Sequence, residues 1–181
     1  MTKEDVINLI REDEWMMQVL HLAEELNLPN WFIGAGFIRN KVWDHLHGYH
    51  NVEVDTKDID LVYFDIKGND YRSDESLSKK LIEETGIRWE IINEVYAHKF
   101  NNRLPFKSTE DAISSWPETA TCIGVNLDRG KLTLLAPYGI SDIVNLCIKV
   151  NPKFPDHIEL VKSRVKEKNW LVKWPKLTLE L

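Results

Sequence analysis

The chain has 181 residues, of which 43% are hydrophobic and 29% are charged, and its formal net charge is −6 at pH 7. This length and composition are typical of one compact domain that buries about two-thirds of its unfolded surface. The acidic balance disfavours a nucleic-acid partner, and the lack of an apolar run long enough to cross a bilayer disfavours a membrane partner.

Cysteine content and the start of the chain indicate the compartment. Cys122 and Cys147 are too few for a disulfide framework, and each lies in an apolar stretch where a buried thiol is common. The chain starts with the charged residues Lys3, Glu4 and Asp5 and has no apolar core there, unlike a secretory signal. We therefore expect a cytoplasmic protein.

The first quarter of the chain predicts two helices with a strand between them. Apolar residues at three- and four-residue spacing predict one amphipathic helix from Val6 to Leu26. Trp31 to Ile33 predict a short strand that runs into Gly34-Ala35-Gly36. Phe37 to Leu46 predict a second helix, which Gly48 closes. The order is strand, glycine turn, helix.

The middle of the chain predicts two strands joined through a helix. Residues 48–57 are polar and irregular, and Asp58 to Asp65 then alternate as in a strand. A helix is predicted from about Asp74 to Glu84, ended by Gly86. Ile87 to Ile92 form a second alternating strand.

The next segment predicts a loop followed by a hairpin. Between Asn101 and Pro117 we expect a loop and a short helix capped by the Ser108 hydroxyl, which can accept a bond from a first-turn amide. Thr119 to Leu127 and Lys131 to Ala136 predict two strands. Residues 128–130 form the tight turn, where Gly130 supplies the positive φ.

The C-terminal region predicts further helices. Ser141 to Val150, with Ser141 as the cap, and His157 to Lys168 have helical patterns, and a tail follows from Trp170 to Pro175. The tryptophans of this region suit either packing onto the domain or a dimer contact. We predict an α+β fold in which one domain spans residues 1–181, with a small mixed sheet packed against helices and with helical N- and C-terminal extensions.

Three acidic residues on the predicted strands suggest a metal site. Asp58 and Asp60 are two apart, so both carboxylates project from one face of their strand. Two like charges this close repel unless a cation or protons compensate them, and Mg²⁺ prefers oxygen ligands. Glu90 lies in the centre of the other strand. If the two strands are neighbours, the three acids converge.

The glycine turn has the position of a phosphate-binding loop. Gly34-Ala35-Gly36 follows a strand and opens a helix, where free backbone amides and the positive helix end accept phosphate oxygens. Together with the three acids, such a turn is suited to phosphoryl chemistry, in which metal ions neutralise the charge that develops on the phosphates.

The ordered set of motifs resembles the signature of the polymerase-β-type nucleotidyltransferase superfamily. The motifs are Ile33-Gly34-Ala35-Gly36, Asp58-Ile59-Asp60-Leu61 and Trp89-Glu90-Ile91. More narrowly, the chain is similar to a bacterial nucleotidyltransferase-like family of small proteins. The segments that carry this likeness are Gly34 to Asn40, Asp58 to Asp65, Trp116 to Ala120, Ala136 to Asp142 and Lys168 to Leu177.

The resemblance implies a minimal nucleotidyltransferase fold, two Mg²⁺ or Mn²⁺ ions and an NTP donor. A nucleoside monophosphate would pass to a small-molecule or protein acceptor as pyrophosphate leaves. The resemblance assigns both metal ions to Asp58 and Asp60, and it assigns Glu90 to the metal site on the side of the attacking nucleophile. Gly34 and Gly36 would hold the triphosphate.

Two departures from the superfamily pattern concern activity. Ala35 stands where Gly or Ser is usual, and alanine restricts the backbone. The interval between Gly36 and Asp58 is longer than usual. A second hypothesis is therefore a catalytically degenerate protein that binds a nucleotide or a partner through the same cleft. A third is a phosphohydrolase with Asp58 as nucleophile, although that strand normally lies near the start of such folds.

Several residues near these motifs have two interpretations each. Arg39 and Asn40 could contact phosphate or base, or Arg39 could form a solvated ion pair. Trp116 could line a wall on which a base stacks, but packing beside the turn proline is the simpler interpretation. The histidines and the basic C-terminal residues are more typical of a solvated loop and a mixed-charge helix face than of a zinc or acceptor site. They are His45, His47 and His50, and Arg164, Lys166, Lys168, Lys173 and Lys176.

Overall fold

The structure is a computed structural model that describes residues 1–49, 58–68, 71–99 and 104–181. The irregular segment expected at 48–57 falls mostly outside these residues, as do His50 and the first three residues of the loop expected from Asn101. Within the described residues, no helix has the length and apolar character needed to span a bilayer.

Helices and strands alternate along the chain. The helices are α1 (Lys3–Arg11), α2 (Glu14–Glu25), α3 (Gly36–His47), α4 (Tyr71–Thr85), α5 (Glu94–Ala97), α6 (Thr109–Ile113), α7 (Ser141–Val144), α8 (Ile158–Glu167) and α9 (Trp170–Lys173), with a 3-10 turn at Thr119–Thr121. The strands are β1 (Phe32–Gly34), β2 (Ile59–Tyr63), β3 (Trp89–Asn93), β4 (Gly124–Asp128), β5 (Lys131–Leu135), β6 (Cys147–Lys149) and β7 (Thr178–Glu180).

A mixed sheet organises the described part of the chain. Its strand order is β3-β2-β1-β4-β5, and β6 pairs with β7 in a separate two-stranded sheet. β2 and β3 are parallel and joined through α4, whereas β1 is antiparallel to both β2 and β4. The predicted α+β class and the neighbouring positions of the two acidic strands are therefore confirmed.

The two faces of the sheet bury different sets of residues. Ile33, Leu61 and Ile91 lie on the face that the main hydrophobic core covers. Phe32, Val62 and Ile92 point to the opposite face, where a smaller cluster forms. The alternation follows from the two-residue period of a strand, and it gives each face a separate cover. The smaller cluster is covered by residues that include Ile113, Trp116, Cys122 and Tyr138.

The predicted helix from Val6 to Leu26 is wrong, because the chain forms two helices there. Asp13 interrupts the first helix with extended backbone, and its carboxylate accepts a hydrogen bond from the Met16 amide at 3.0 Å. Thr2 and Asp5 cap α1 reciprocally. The apolar spacing continued through the break, so periodicity alone could not reveal the local N-cap.

The predicted helix from Ser141 to Val150 is also wrong. Only Ser141–Val144 is helical, and Leu146 then takes a positive φ of 57° before β6 begins. β6 pairs with β7 near the end of the chain, a tertiary contact that local patterns did not show. Ser141 is not the cap, since the N-cap is Ile140 and no side chain satisfies it.

Other local predictions are confirmed. Ser108 caps α6 by accepting from the Asp111 amide at 3.1 Å. Gly48 follows α3 with a φ of 73°, and Gly130 closes the hairpin turn with a φ of 79°. The strand predicted from Thr119 is shorter than expected, because it begins only at Gly124.

Candidate active site

Three residues named from the sequence lie in one row across neighbouring strands. The register pairs Ile33 with Leu61, so Gly34 stands opposite Asp60. Asp60 is in turn paired with Glu90 on the parallel strand. Residues paired in this way point to the same face, with Cβ atoms roughly 5 Å apart. Two acids and the start of the glycine turn therefore share one face.

Asp58 precedes β2 and lies two residues from Asp60. Its Oδ1 atom is 2.8 Å from Nε of Arg88, an ion-pair distance between side chains that are 37% and 73% exposed. That buried oxygen nevertheless has no aligned hydrogen bond among the described residues. Among the described residues, this oxygen is held by the Arg88 ion pair without an aligned hydrogen bond, and a divalent ion would compete with that pair for it.

Asp60 carries the strongest electrostatic perturbation of the three acids. Its pKa is raised to about 6, first by burial and then by the negative charges of Glu90 and Asp58, while Arg39 and Lys168 oppose the rise. The ionised form is costly here without a compensating cation. A divalent ion would supply that compensation.

The described residues contain no group of three His, Cys, Asp or Glu side chains arranged closely enough to hold a metal ion. Mg²⁺ usually binds through one or two carboxylates together with substrate phosphates and water, rather than in an all-protein cage. Asp58 and Asp60 fit that mode. Glu90 is exposed and would need to turn towards them to join the same ion.

The glycine turn presents the free end of α3 beside this row. The first bond within the helix runs from the Arg39 amide to the Ala35 carbonyl, so the three preceding amides have no helical partner. Ala35 is the N-cap and its side chain makes no capping bond. The amides of Gly36, Phe37 and Ile38 thus have no partner within α3 and lie at its positive end.

Ala35 adopts a backbone conformation that glycine usually occupies. Its φ is 53° and its ψ is −121°, and the residue is buried. A β-carbon is strained in this region, at a cost of about 1–3 kcal/mol. The sequence indicated that alanine restricts this turn. In the structure, Ala35 nevertheless adopts the strained conformation with positive φ.

Gly34 has a packing role as well. A β-carbon added there would lie only 2.4 Å and 2.7 Å from ring atoms of Trp116 and 2.9 Å from the Ile123 carbonyl oxygen. Glycine is therefore needed so that the indole can lie on the strand. Its predicted part in holding a triphosphate remains a prediction.

Arg39 and Asn40 lie beneath the turn and are both buried, at 4% and 5% exposure. Arg39 donates to the Thr121 hydroxyl at 2.8 Å and to the side-chain oxygen of Asn40 at 2.9 Å. Its guanidinium lies 4.2 Å from the ring centre of Trp170. The interpretation of Arg39 as a solvated ion pair is therefore wrong.

Sequence reasoning missed three residues that shape the site. Arg88 pairs with Asp58 but carried no pattern that singled it out. Glu118 is fully buried and accepts from Arg164 Nε at 2.6 Å. Asn151, also fully buried, bonds to the backbone around Trp116. A buried polar residue far along the chain leaves no local signal, since its partners are set by the fold.

Comparisons with known proteins identify the family and the fold of the chain. A protein family described as nucleotidyltransferase matches residues 21–179. A solved structure described as revealing a CCA-adding enzyme head domain has a TM-score of 0.84 and 31% sequence identity, and the match covers 99% of this chain and 96% of that chain. No curated protein matches the chain.

More distant structures share the fold alone. A CCA-adding enzyme in complex with CTP has a TM-score of 0.60 at 16% identity, covering 97% of this chain and 43% of that one. The Thermotoga maritima CCA-adding enzyme complexed with tRNA has a TM-score of 0.59 at 16% identity, covering 97% and 42%. The chain thus spans less than half the length of those enzymes.

The family match covers most of the chain, and the match to the head-domain structure covers nearly all of it. This chain belongs to the nucleotidyltransferase family and has the fold of a CCA-adding enzyme head domain.

Proposed function

We propose that the protein is a metal-dependent nucleotidyltransferase that uses an NTP donor, Mg²⁺ or Mn²⁺, and a small-molecule or protein acceptor. An acceptor oxygen attacks the α-phosphorus, the bond to the bridging oxygen of the β-phosphate breaks, and pyrophosphate leaves. The observation that carries the proposal is the row formed by Gly34, Asp60 and Glu90 across three adjacent strands beside the free amides of α3.

Each part of this arrangement has a role in the proposal. Asp58 and Asp60 would hold the metal ions, and Glu90 would complete the site on the acceptor side. When bound, the ions neutralise charge on the triphosphate and favour ionisation of the attacking hydroxyl. The turn from Gly34 through Ala35 to Gly36 would hold phosphate oxygens through its amides and those of the first turn of α3.

Arg39 and Asn40 support that turn in the proposal. The Arg39 guanidinium lies 3.7 Å, and the Asn40 amide nitrogen 3.4 Å, from the position that a β-carbon on Gly36 would occupy. Burial lowers the pKa of Arg39 to about 10, which still leaves it charged at neutral pH. A fixed positive charge beneath the turn favours the binding of phosphate above it.

The second candidate is a protein of the same fold that binds a nucleotide or a partner without catalysis. The strained alanine in the turn and the ion pair between Asp58 and Arg88 favour it. The cost of keeping Asp60 next to two further acids opposes it, since a binding protein gains nothing from that repulsion.

Thermal unfolding with each of the four NTPs, with and without Mg²⁺ or Mn²⁺, tests the proposal. CTP is a sensible first ligand because a solved protein of similar fold binds it. A ligand at 100 times its dissociation constant adds about 2.7 kcal/mol to the free energy of unfolding. We expect a metal-dependent rise in Tm that the Asp58→Asn/Asp60→Asn variant loses.

A matched control removes the same number of charges elsewhere. Asp128 and Glu159 are exposed acids outside the site, and the Asp128→Asn/Glu159→Gln variant should keep the shift. Pyrophosphate release with an acceptor library then separates the two candidates. Binding without release for any acceptor supports the non-catalytic protein. No shift with any NTP contradicts the transferase and a nucleotide-binding protein, and favours a protein of the same fold that binds a partner.

A further inference from the structure

Trp116 lies on the sheet face to which the row of Gly34, Asp60 and Glu90 points. Its six-membered ring occupies the space where a β-carbon of Gly34 would be, with ring atoms 2.4 Å and 2.7 Å from that position. Gly34 stands opposite Asp60 in the register, so the indole lies on the strand residue that neighbours Asp60. The ring therefore contacts Gly34, the first residue of the glycine turn, whose partner in the register is Asp60.

The backbone on both sides of this tryptophan is held from the protein interior. Asn151, which is fully buried, donates through its amide to the carbonyl oxygens of Trp116 at 2.6 Å and Ser114 at 2.8 Å. Tyr138 donates to the same Ser114 carbonyl and lies within hydrogen-bond distance of the Asn151 side-chain oxygen. The backbone N–H of Asn151 also donates to the Pro117 carbonyl oxygen at 2.9 Å.

This network holds the backbone that carries the indole before any ligand arrives. Trp116 is only half-buried, so part of this residue remains accessible to solvent. A rigid aromatic surface loses little entropy on binding and stacks with any nucleobase.

We propose that Trp116 is the surface on which the base of the bound nucleoside triphosphate stacks, held in place by Asn151. This inference rests on the proposed function, because it names the residue that contacts the base at the same site. It assigns base contact to Trp116 and phosphate contact to the turn. It also predicts that the site accepts more than one base, since stacking is tolerant of base identity.

The test compares an NTP with inorganic tripolyphosphate, which has the phosphates but no base. Affinities for both are measured in Mg²⁺ by calorimetry for the wild type, Trp116→Leu, Trp116→Phe and the control Trp15→Leu. Trp15 is a half-buried tryptophan that packs on Phe37 on the helical side of the domain. Removing a stacking residue costs about 5- to 150-fold in affinity.

We expect Trp116→Leu to weaken NTP binding within that range while tripolyphosphate binds as in the wild type. Trp116→Phe should retain most NTP affinity, and Trp15→Leu should bind both ligands normally. Equal losses for the two ligands would overturn the inference, since they would mean that Trp116 only supports Gly34. Unchanged NTP affinity in Trp116→Leu would overturn it as well.

Two further outcomes are informative. If the wild type binds neither ligand, the proposed function fails and the inference fails with it, whereas wild-type binding with an unaltered Trp116→Leu variant overturns the inference alone. If Trp116→Leu does not fold, tryptophan fluorescence decides the matter. Stacking predicts that an NTP quenches the wild type more than Trp116→Phe, and equal quenching contradicts stacking.

Discussion

Ala35 carries a conformation that glycine would adopt without strain. Replacing it by glycine removes about 1–3 kcal/mol of backbone strain from the folded state. Glycine also makes the unfolded chain more flexible, which lowers the free energy of unfolding by about 0.4–1 kcal/mol. We therefore expect Ala35→Gly to raise the free energy of unfolding by roughly 1 kcal/mol, measured by urea denaturation. The strain would then be a feature that the native turn retains in spite of its cost.

A control for this substitution is Ala112→Gly, because Ala112 is buried inside helix α6. There the added backbone freedom has no strain to offset it, so stability should fall by about 1 kcal/mol. If Ala35→Gly is also less stable than the wild type, the positive φ at Ala35 is not a source of strain.

The buried carboxyl of Asp60 should make the stability of the metal-free protein depend on pH. Its pKa is raised from 3.8 to about 6 by burial and by the neighbouring acids. Between these values the folded protein binds a proton that the unfolded chain has lost, so stability falls as the pH rises through this window. The loss amounts to at most about 3 kcal/mol and persists at higher pH.

Asp60→Asn removes the ionisable group. In the presence of a chelator, we expect the variant to be more stable than the wild type at pH 7.5 by about 1–3 kcal/mol and to differ little at pH 4. Asp156→Asn, which changes an exposed acid, should alter stability little at either pH. A gain of the same size at both pH values would show that Asp60 does not titrate in this window.

At the scale of elements, one buried ion pair joins helix α8 to the segment that carries Trp116. Glu118 is fully buried, and the Arg164 side chain that donates to it is 28% exposed. A second pair on the same helix, Lys162 with Glu159, is largely exposed. Arg164 and Lys162 belong to the same basic stretch of sequence, yet the fold gives them different environments.

We expect Arg164→Met to destabilise the protein by about 3–5 kcal/mol, because it leaves the Glu118 carboxylate buried without its partner. Lys162→Met breaks only an exposed pair and should cost less than about 1 kcal/mol. Thermal and urea unfolding of the two variants measure the difference. Equal effects would mean that Glu118 is compensated by another group, and Arg39, whose pKa the charge of Glu118 raises, is a candidate.

At the scale of the whole molecule, the C-terminal segment returns to pack on α3. Trp170 and Trp174 contact Trp43 edge to face, with ring centres 5.6 Å and 5.1 Å apart. The Trp174 indole donates to the Asp44 carboxylate at 2.7 Å. These two tryptophans are buried, so packing onto the domain is the role that the structure gives them.

One hydrophobic cluster includes residues from Val6 to Leu177. Because its members come from both ends of the described chain, we expect a single cooperative unfolding transition, in which circular dichroism and tryptophan fluorescence give the same midpoint. Two separated midpoints would contradict the prediction that the chain is one domain. The comparison needs no ligand and is best made with the chelator present.

Local signals determined most elements and the identity of the candidate site. The acids two residues apart, the glycines between strand and helix, and the Ser108 cap each act within a few residues, so their patterns appear in the sequence. Apolar spacing predicted continuous helices that the structure does not contain. A new helix starts after Asp13, and beyond Val144 the chain forms a strand that pairs with a strand near the end of the chain.

By itself, the sequence determined the α+β class, the glycine turn and which face of each strand carries its acids, because strand alternation and turn chemistry are properties of neighbouring residues. Only the tertiary structure decided that Gly34, Asp60 and Glu90 align in one row, that Trp116 lies over Gly34, and that Arg39 is buried against Trp170. These depend on strand order, register and the return of the C-terminal segment, which are set by packing between residues far apart in the chain.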